Sequence, residues 1–225
     1  MFTVNQALVA EAQARLAGYS GLRWVIGGAC TGKSTVCQAI VARRGVACYA
    51  MDEHIYGDYM GQYTAERHPA STAWFGAADP LAWVMARTPA EFDALNRAAT
   101  AEYLDLLAAD LRSHDPHQAL LIDGGVTHPS LLVQVLAPAQ IVCLDVDDAE
   151  RERIWESAPE RAEMRGWVQA LAAPADPWRR FLDFDRQIND TLIAESRAHG
   201  IPVLRRTPVV TVAAFTDAVV AALWP

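Results

Sequence analysis

Gly27-Gly28-Ala29-Cys30-Thr31-Gly32-Lys33-Ser34-Thr35 contains the only lysine in 225 residues. Its spacing is G-x-x-x-x-G-K-[ST], in which glycines let backbone N–H groups curl around phosphate oxygens while the lysine adds a compact positive charge. A planar guanidinium is too wide for that ring of amides. Every other fixed side-chain cation is an arginine, so lysine is kept only where arginine would not serve. Residues Gly28, Ala29, Cys30, Thr31, Gly32, Lys33, Ser34 and Thr35 are therefore the expected phosphate-binding set. Ser34 is expected to hold Mg²⁺ through its hydroxyl, and the helix that begins there points its positive end at the phosphates. The bland alternative is a chance glycine-rich turn. Cys30 is either a reactive thiol beside these amides or apolar filler.

The motif requires a strand before it and a helix after it. Leu22 to Ile26 is a short β-prone run, and Ser34 to Arg44 reads as a helix with Val36, Ile40 and Val41 on one face. Gly45 stops that helix, with Arg43 and Arg44 at the negative end of its dipole.

Three acids stand where strands are expected to end: Asp52, Asp123 and Asp145. In an open parallel sheet, ligands gather beyond the carboxyl ends of the strands. Asp123 closes an apolar run like a Walker B strand and is expected to hold the metal, unless it only caps a turn. Gly124 and Gly125, next to it, would let a substrate approach the backbone. Asp52 would accept the proton of an attacking hydroxyl, with His54 as substitute base, or else cap the next helix. Between residues 151 and 165 lie Arg151, Arg153, Arg161 and Arg165, suited to neutralising charge on a transferred phosphoryl group. Arg161 and Arg165 are four apart, which would put both on one helix face in a lid that excludes water. The rival reading is a solvated face laced with Glu–Arg pairs.

The elements that must carry these groups alternate β and α. Strand candidates are 22–27, 46–50, 118–123, 139–145 and 201–205, separated by helical stretches, the pattern of an α/β fold with a parallel sheet buried on both faces. Thr88-Pro89-Ala90-Glu91 is a capping box that opens a helix reaching Leu111. Asp147, Asp176 and Thr211 start later helices, and 3–17 forms an amphipathic helix ahead of the first strand, packing on the core in preference to a second subunit. One domain spans 1–225, with an insertion at about 53–117 and a lid at about 151–175.

Composition bounds the partners. A formal net charge of −8 and a pI near 5.2 oppose nucleic-acid binding. No apolar run is long enough to span a bilayer, and four unclustered cysteines imply reduced thiols and a cytoplasmic location. The sequence sets no oligomeric state.

With Lys33, Asp52, Asp123-Gly124-Gly125 and the arginine segment in place, the chain resembles the P-loop small-molecule kinases related to nucleoside monophosphate kinases, the group holding shikimate, gluconate and chloramphenicol phosphotransferases. That resemblance implies a P-loop NTPase fold with sheet order 2-3-1-4-5 and ATP with Mg²⁺ as cofactors. It also implies transfer of the γ-phosphoryl group to a hydroxyl of a small molecule. Asp52 would face the acceptor, as would Gly124 and Gly125. Arg151, Arg161 and Arg165 would belong to the lid, and Pro208, in the loop after the last strand, would support the adenine. The insertion would line the acceptor pocket through Arg67, His68, Trp74 and Trp83. A nucleotide-dependent protein switch is the alternative, since the same loop serves regulatory NTPases.

Overall fold

Five runs become strands, β1 (Leu22–Gly27), β2 (Ala47–Ala50), β3 (Leu120–Asp123), β4 (Ile141–Val146) and β5 (Val203–Arg206), with buried positions nearly continuous in β1, β3 and β4 and none fully buried in the edge strands β2 and β5. In the computed structural model, which describes residues 1–225, they form one all-parallel sheet in the order β2-β3-β1-β4-β5, as expected. The last strand starts later than the apolar run suggests. Pro202 has no N–H to give and serves only through its carbonyl, which accepts from Cys143 N–H at 2.9 Å. Burial on both faces holds for β1 and β4 but not for β2, where Ala47 and Cys48 are exposed because β2 is the sheet's edge.

The helices are α1 (Gln6–Leu16), α2 (Lys33–Arg44), α3 (Met51–Ile55), α4 (Pro69–Phe75), α5 (Pro80–Met85) and α6 (Pro89–Asp110), followed by α7 (Pro129–Leu132), α8 (Asp148–Ser157), α9 (Ala162–Gln169), α10 (Pro177–Ala198) and α11 (Val212–Leu223). Local chemistry sets their ends. Thr88 and Glu91 form the reciprocal capping box of α6, while Asp147, Asp176 and Thr211 accept from backbone N–H groups at the starts of α8, α10 and α11. Gly45 closes α2 in the left-handed region, its N–H bonded to Val41 C=O at 2.9 Å.

The sheet is covered unequally. On one side α1, the insertion helices and α10 share a core of 36 buried side chains; on the other, α2 and α11 share one of 10, so the insertion side is the thicker layer. Helix α1 buries Val9, Ala12 and Leu16 in this larger core, buries Leu8 as well, and packs on α6. Each large aliphatic side chain so buried contributes about 1.5–3 kcal/mol. No helix is long and apolar enough to cross a membrane.

Candidate functional site

Level register brings the strand ends together, since Val25 of β1 and Ala50 of β2 both pair with Asp123 of β3. Beyond these carboxyl ends opens one cavity of about 1300 Å³. Single small-molecule sites run to roughly 300–1,000 Å³, so this one has room for two ligands side by side.

Its floor is the turn between β1 and α2. Gly28, Ala29, Cys30, Gly32, Lys33, Ser34 and Thr35 line it; Thr31 is buried behind, its hydroxyl donating to Gly28 C=O at 2.9 Å. The backbone of Gly28 passes so close to α10 that a Cβ there would lie 2.7 Å from Asn189 Oδ1. The Lys33 ammonium donates to Gly28 C=O at 3.1 Å, folding the side chain back over the turn. No side chain caps the start of α2, so the N–H groups of its first turn are free for an anion. Burial pushes the Cys30 thiol up to about 11; Arg161, Arg151 and Lys33 oppose that rise and Asp185 adds to it. The thiol therefore stays protonated at neutral pH, and Cys30 serves as packing against Trp155 and Leu182.

Asp52 lies in the first turn of α3 and lines the cavity, and it does not cap the helix: the N-cap is Ala50. Gly124 makes room for it, because a Cβ there would come within 2.8 Å of Asp52 Oδ2, and the Gly125 N–H donates to the carboxylate. Burial raises the Asp52 pKa above the usual carboxylate value; Lys33 pulls it down, Asp123 adds to the rise, and the Gly125 N–H pulls it down again. Asp123 sits behind the lining, with Oδ1 buried and without a hydrogen-bond partner. Asp145, the third strand-end acid, is consumed by Arg205, whose Nε lies 2.7 Å from Oδ2.

The arginines divide differently from the expectation. Arg153 and Arg161 line the cavity, joined by Arg206 at the end of β5, which donates to Cys30 C=O at 3.2 Å. Arg161 stands in a 3-10 turn before α9 and lies over the Trp155 ring, 4.8 Å from its centre. It therefore shares no helix face with Arg165. Arg165 points back to the end of α8 and donates to the Trp155 and Glu156 carbonyls, because those terminal acceptors have no partner in their own helix. Arg151 is buried away from the cavity, its charge held by Asp148 at 2.8 Å and Asp185 at 3.1 Å. Pro208 is exposed outside the cavity at the second position of the turn that Val210 N–H closes on Thr207 C=O, and the wall beyond β5 is made instead by Arg206, Val212 and Phe215.

The insertion supplies the rest of the wall. Gly125 and Trp74 line the cavity as expected, but His54, Arg67, His68 and Trp83 do not. His54 is two residues from Asp52 on a helix and so faces the other way, stacked on Tyr49 at 3.9 Å with Nδ1 3.1 Å from Asp58. Trp83 is covered by the Arg87 guanidinium. Arg67 bridges α1 to α6, donating to Glu11 and to both Asp105 oxygens at 2.7 Å, while His68 Nε2 lies 3.1 Å from the same carboxylate. Burial alone would raise the Asp105 pKa, but His68 and Arg67 outweigh it and hold it well below the carboxylate range. Replacing Arg67 with alanine is expected to cost about 2 kcal/mol, the scale of hydrogen bonds to a charged group, read as a lower urea midpoint. An unchanged midpoint would mean that this pair does not hold α1 to α6.

Asp185 and Asn189 belong to the site and were missed. They sit one turn apart on α10, Asp185 lining the cavity beside Lys33 and Arg161, Asn189 under Gly28 with a buried, unpartnered Oδ1. Burial pushes Asp185 up to about 6, with Arg151 the chief opposing influence. The available signal was their spacing with Leu182, Leu192, Ile193 and Ser196: two polar residues on the buried stripe of an amphipathic helix.

No protein-family model matches this chain, and no curated protein matches it significantly.

Proposed function

We propose that this protein is a phosphotransferase that uses ATP and Mg²⁺ to phosphorylate a hydroxyl group of a small molecule. The observation that carries the reading is the meeting of Lys33 and Asp52 in one cavity large enough for two ligands, with Lys33 the first residue of α2 and Asp52 in the first turn of α3. The residue 28–34 amides, Lys33 and the free start of α2 would cradle the phosphates. Arg153, Arg161 and Arg206 would offset the charge that spreads over the transferred group.

A hard cation fits the donor set. Asp123 Oδ1 lacks a partner, and Ser34 is exposed at the start of α2. No cluster of three or more His, Cys, Asp or Glu side chains is present that could hold a metal alone, which suits an ion bound by one or two protein oxygens and completed by phosphates. When bound, Mg²⁺ would neutralise phosphate charge. Asp52, raised in pKa by burial, would take the proton of the acceptor hydroxyl as it attacks.

Acceptor dependence tests the reading. Incubating the protein with cell extract and labelled ATP should produce a metabolite that gains one labelled phosphoryl group, with little ATP hydrolysis when extract is left out. Slow hydrolysis at the same rate with and without extract, and no labelled product, would instead identify a nucleotide switch.

A further inference from the structure

The cations lining the cavity are confined to one side, where the carboxylates Glu160 and Asp185 also stand. Its four cations, Lys33, Arg153, Arg161 and Arg206, all belong to the phosphate turn, the α8–α9 segment or the end of β5. The wall made by the insertion and the start of the β3–α7 connection contributes no cation and one carboxylate, Asp52. What it offers instead is a set of rings, Tyr56, Trp74, Phe75, Phe92 and Tyr103, completed from α10 by Phe184, with the aliphatic side chains of Leu81 and Val84 between them. These rings are fixed against one another: Trp74 stacks on Phe75 at 4.9 Å, Tyr56 meets both edge-on, and Phe92 stacks on Phe184 at 4.0 Å. Polar groups on this wall are sparse and neutral apart from Asp52, chiefly Asn96 and Thr127.

The arginines of this region are bound elsewhere. Arg67 is held by Asp105 and Glu11, Arg97 by Glu195 at 2.5 Å, and Arg87 lies over the Trp83 ring while donating to Trp83 C=O at 3.3 Å. None of them lines the cavity. A carboxylate or phosphate on the acceptor would enter against an aromatic wall that presents no cation of its own and stand beside the Asp52 carboxyl, and an unpaired buried charge is strongly disfavoured. A neutral ring has the opposite fate, since the wall gives it flat apolar surface and asks for no polar partner beyond the hydroxyl at Asp52.

We infer that the acceptor is an uncharged, ring-bearing alcohol and not an anionic metabolite. This inference rests on the phosphotransferase reading for the role of the hydroxyl, but its test separates the two. Calorimetric titration with naphthylethanol, phenylethanol and cyclohexylethanol is compared with titration by the matching naphthylacetate, phenylacetate and cyclohexylacetate, in the presence of Mg²⁺ and a non-hydrolysable ATP analogue. At least one alcohol should bind about tenfold or more tightly than its carboxylate partner, and Leu81→Arg, which adds a cation to the wall, should narrow that gap in folded protein. Equal or tighter binding of the carboxylates by the parent protein would overturn the inference, as would failure of all three alcohols to bind. Binding of the ATP analogue is measured on the same samples. If the alcohol preference appears and the analogue does not bind, the phosphotransferase reading fails while the wall's preference for uncharged ring-bearing ligands stands; if the analogue binds and the carboxylates win, the inference fails and the phosphotransferase reading stands.

Discussion

Lys33→Ala should reduce the rate of phosphoryl transfer on the order of a hundredfold or more, the scale seen when one preorganised electrostatic donor is removed. The ammonium has a single contact in the protein, to Gly28 C=O at 3.1 Å, so its loss should leave thermal unfolding near that of the parent. Its catalytic weight would come from being a compact charge at the turn between β1 and α2, and Lys33→Arg should not restore it because the guanidinium is broader and planar. The measurement is the initial rate of labelled product in the extract assay, with unfolding followed in parallel. Full turnover in either variant would remove the lysine from the mechanism.

Replacing Asp52 with asparagine should lower turnover by about 10²–10⁴-fold, the range for loss of a positioned general base, while the affinity for ATP changes little. The substitution keeps shape and retains an oxygen for the Gly125 N–H, so a loss in rate reports the missing proton acceptor and not a displaced turn. A pH signature accompanies it. A base works only when deprotonated, and burial holds the Asp52 pKa above its ordinary value, so activity should fall on the acid side at a higher pH than an ordinary aspartate would give. In Asp52→Asn that acid limb should vanish from the residual rate. An unaltered limb would assign it to another group, with Asp185, pushed up to about 6, the next to examine.

Much of the scaffold was legible because its signals are local. Thr88 with Glu91, Asp147, Asp176 and Thr211 each answer unpaired N–H groups within three residues, so their types alone predict where helices begin. The turn between β1 and α2 was legible for the same reason, being written in one run of nine residues. Side-chain direction was not. Whether Arg67 faces a ligand or a carboxylate depends on Glu11 and Asp105, and whether Arg151 does depends on Asp185, all far off in sequence or on other elements. Arg165 was misassigned because a bare helix end attracts a cation as well as a phosphate does, and the α8 carbonyls lie closer. His54 needed only the helical angle from Asp52, which was available once α3 was recognised.

Helix α10 touches three regions at once: Phe184 stacks on Phe92 in the acceptor wall, Asp185 anchors Arg151 of α8, and Asn189 lies under Gly28. Under the proposed function, a change of acceptor preference would therefore meet two kinds of wall position. Phe184 shares α10 with the residues that hold Arg151 and lie under Gly28, so the effects of changes at Phe184 should not add simply with changes made there. Trp74 and Leu81 stand on the short helices α4 and α5 and line the same cavity, so under the proposed function substitutions there should shift acceptor preference with less effect on the turn between β1 and α2.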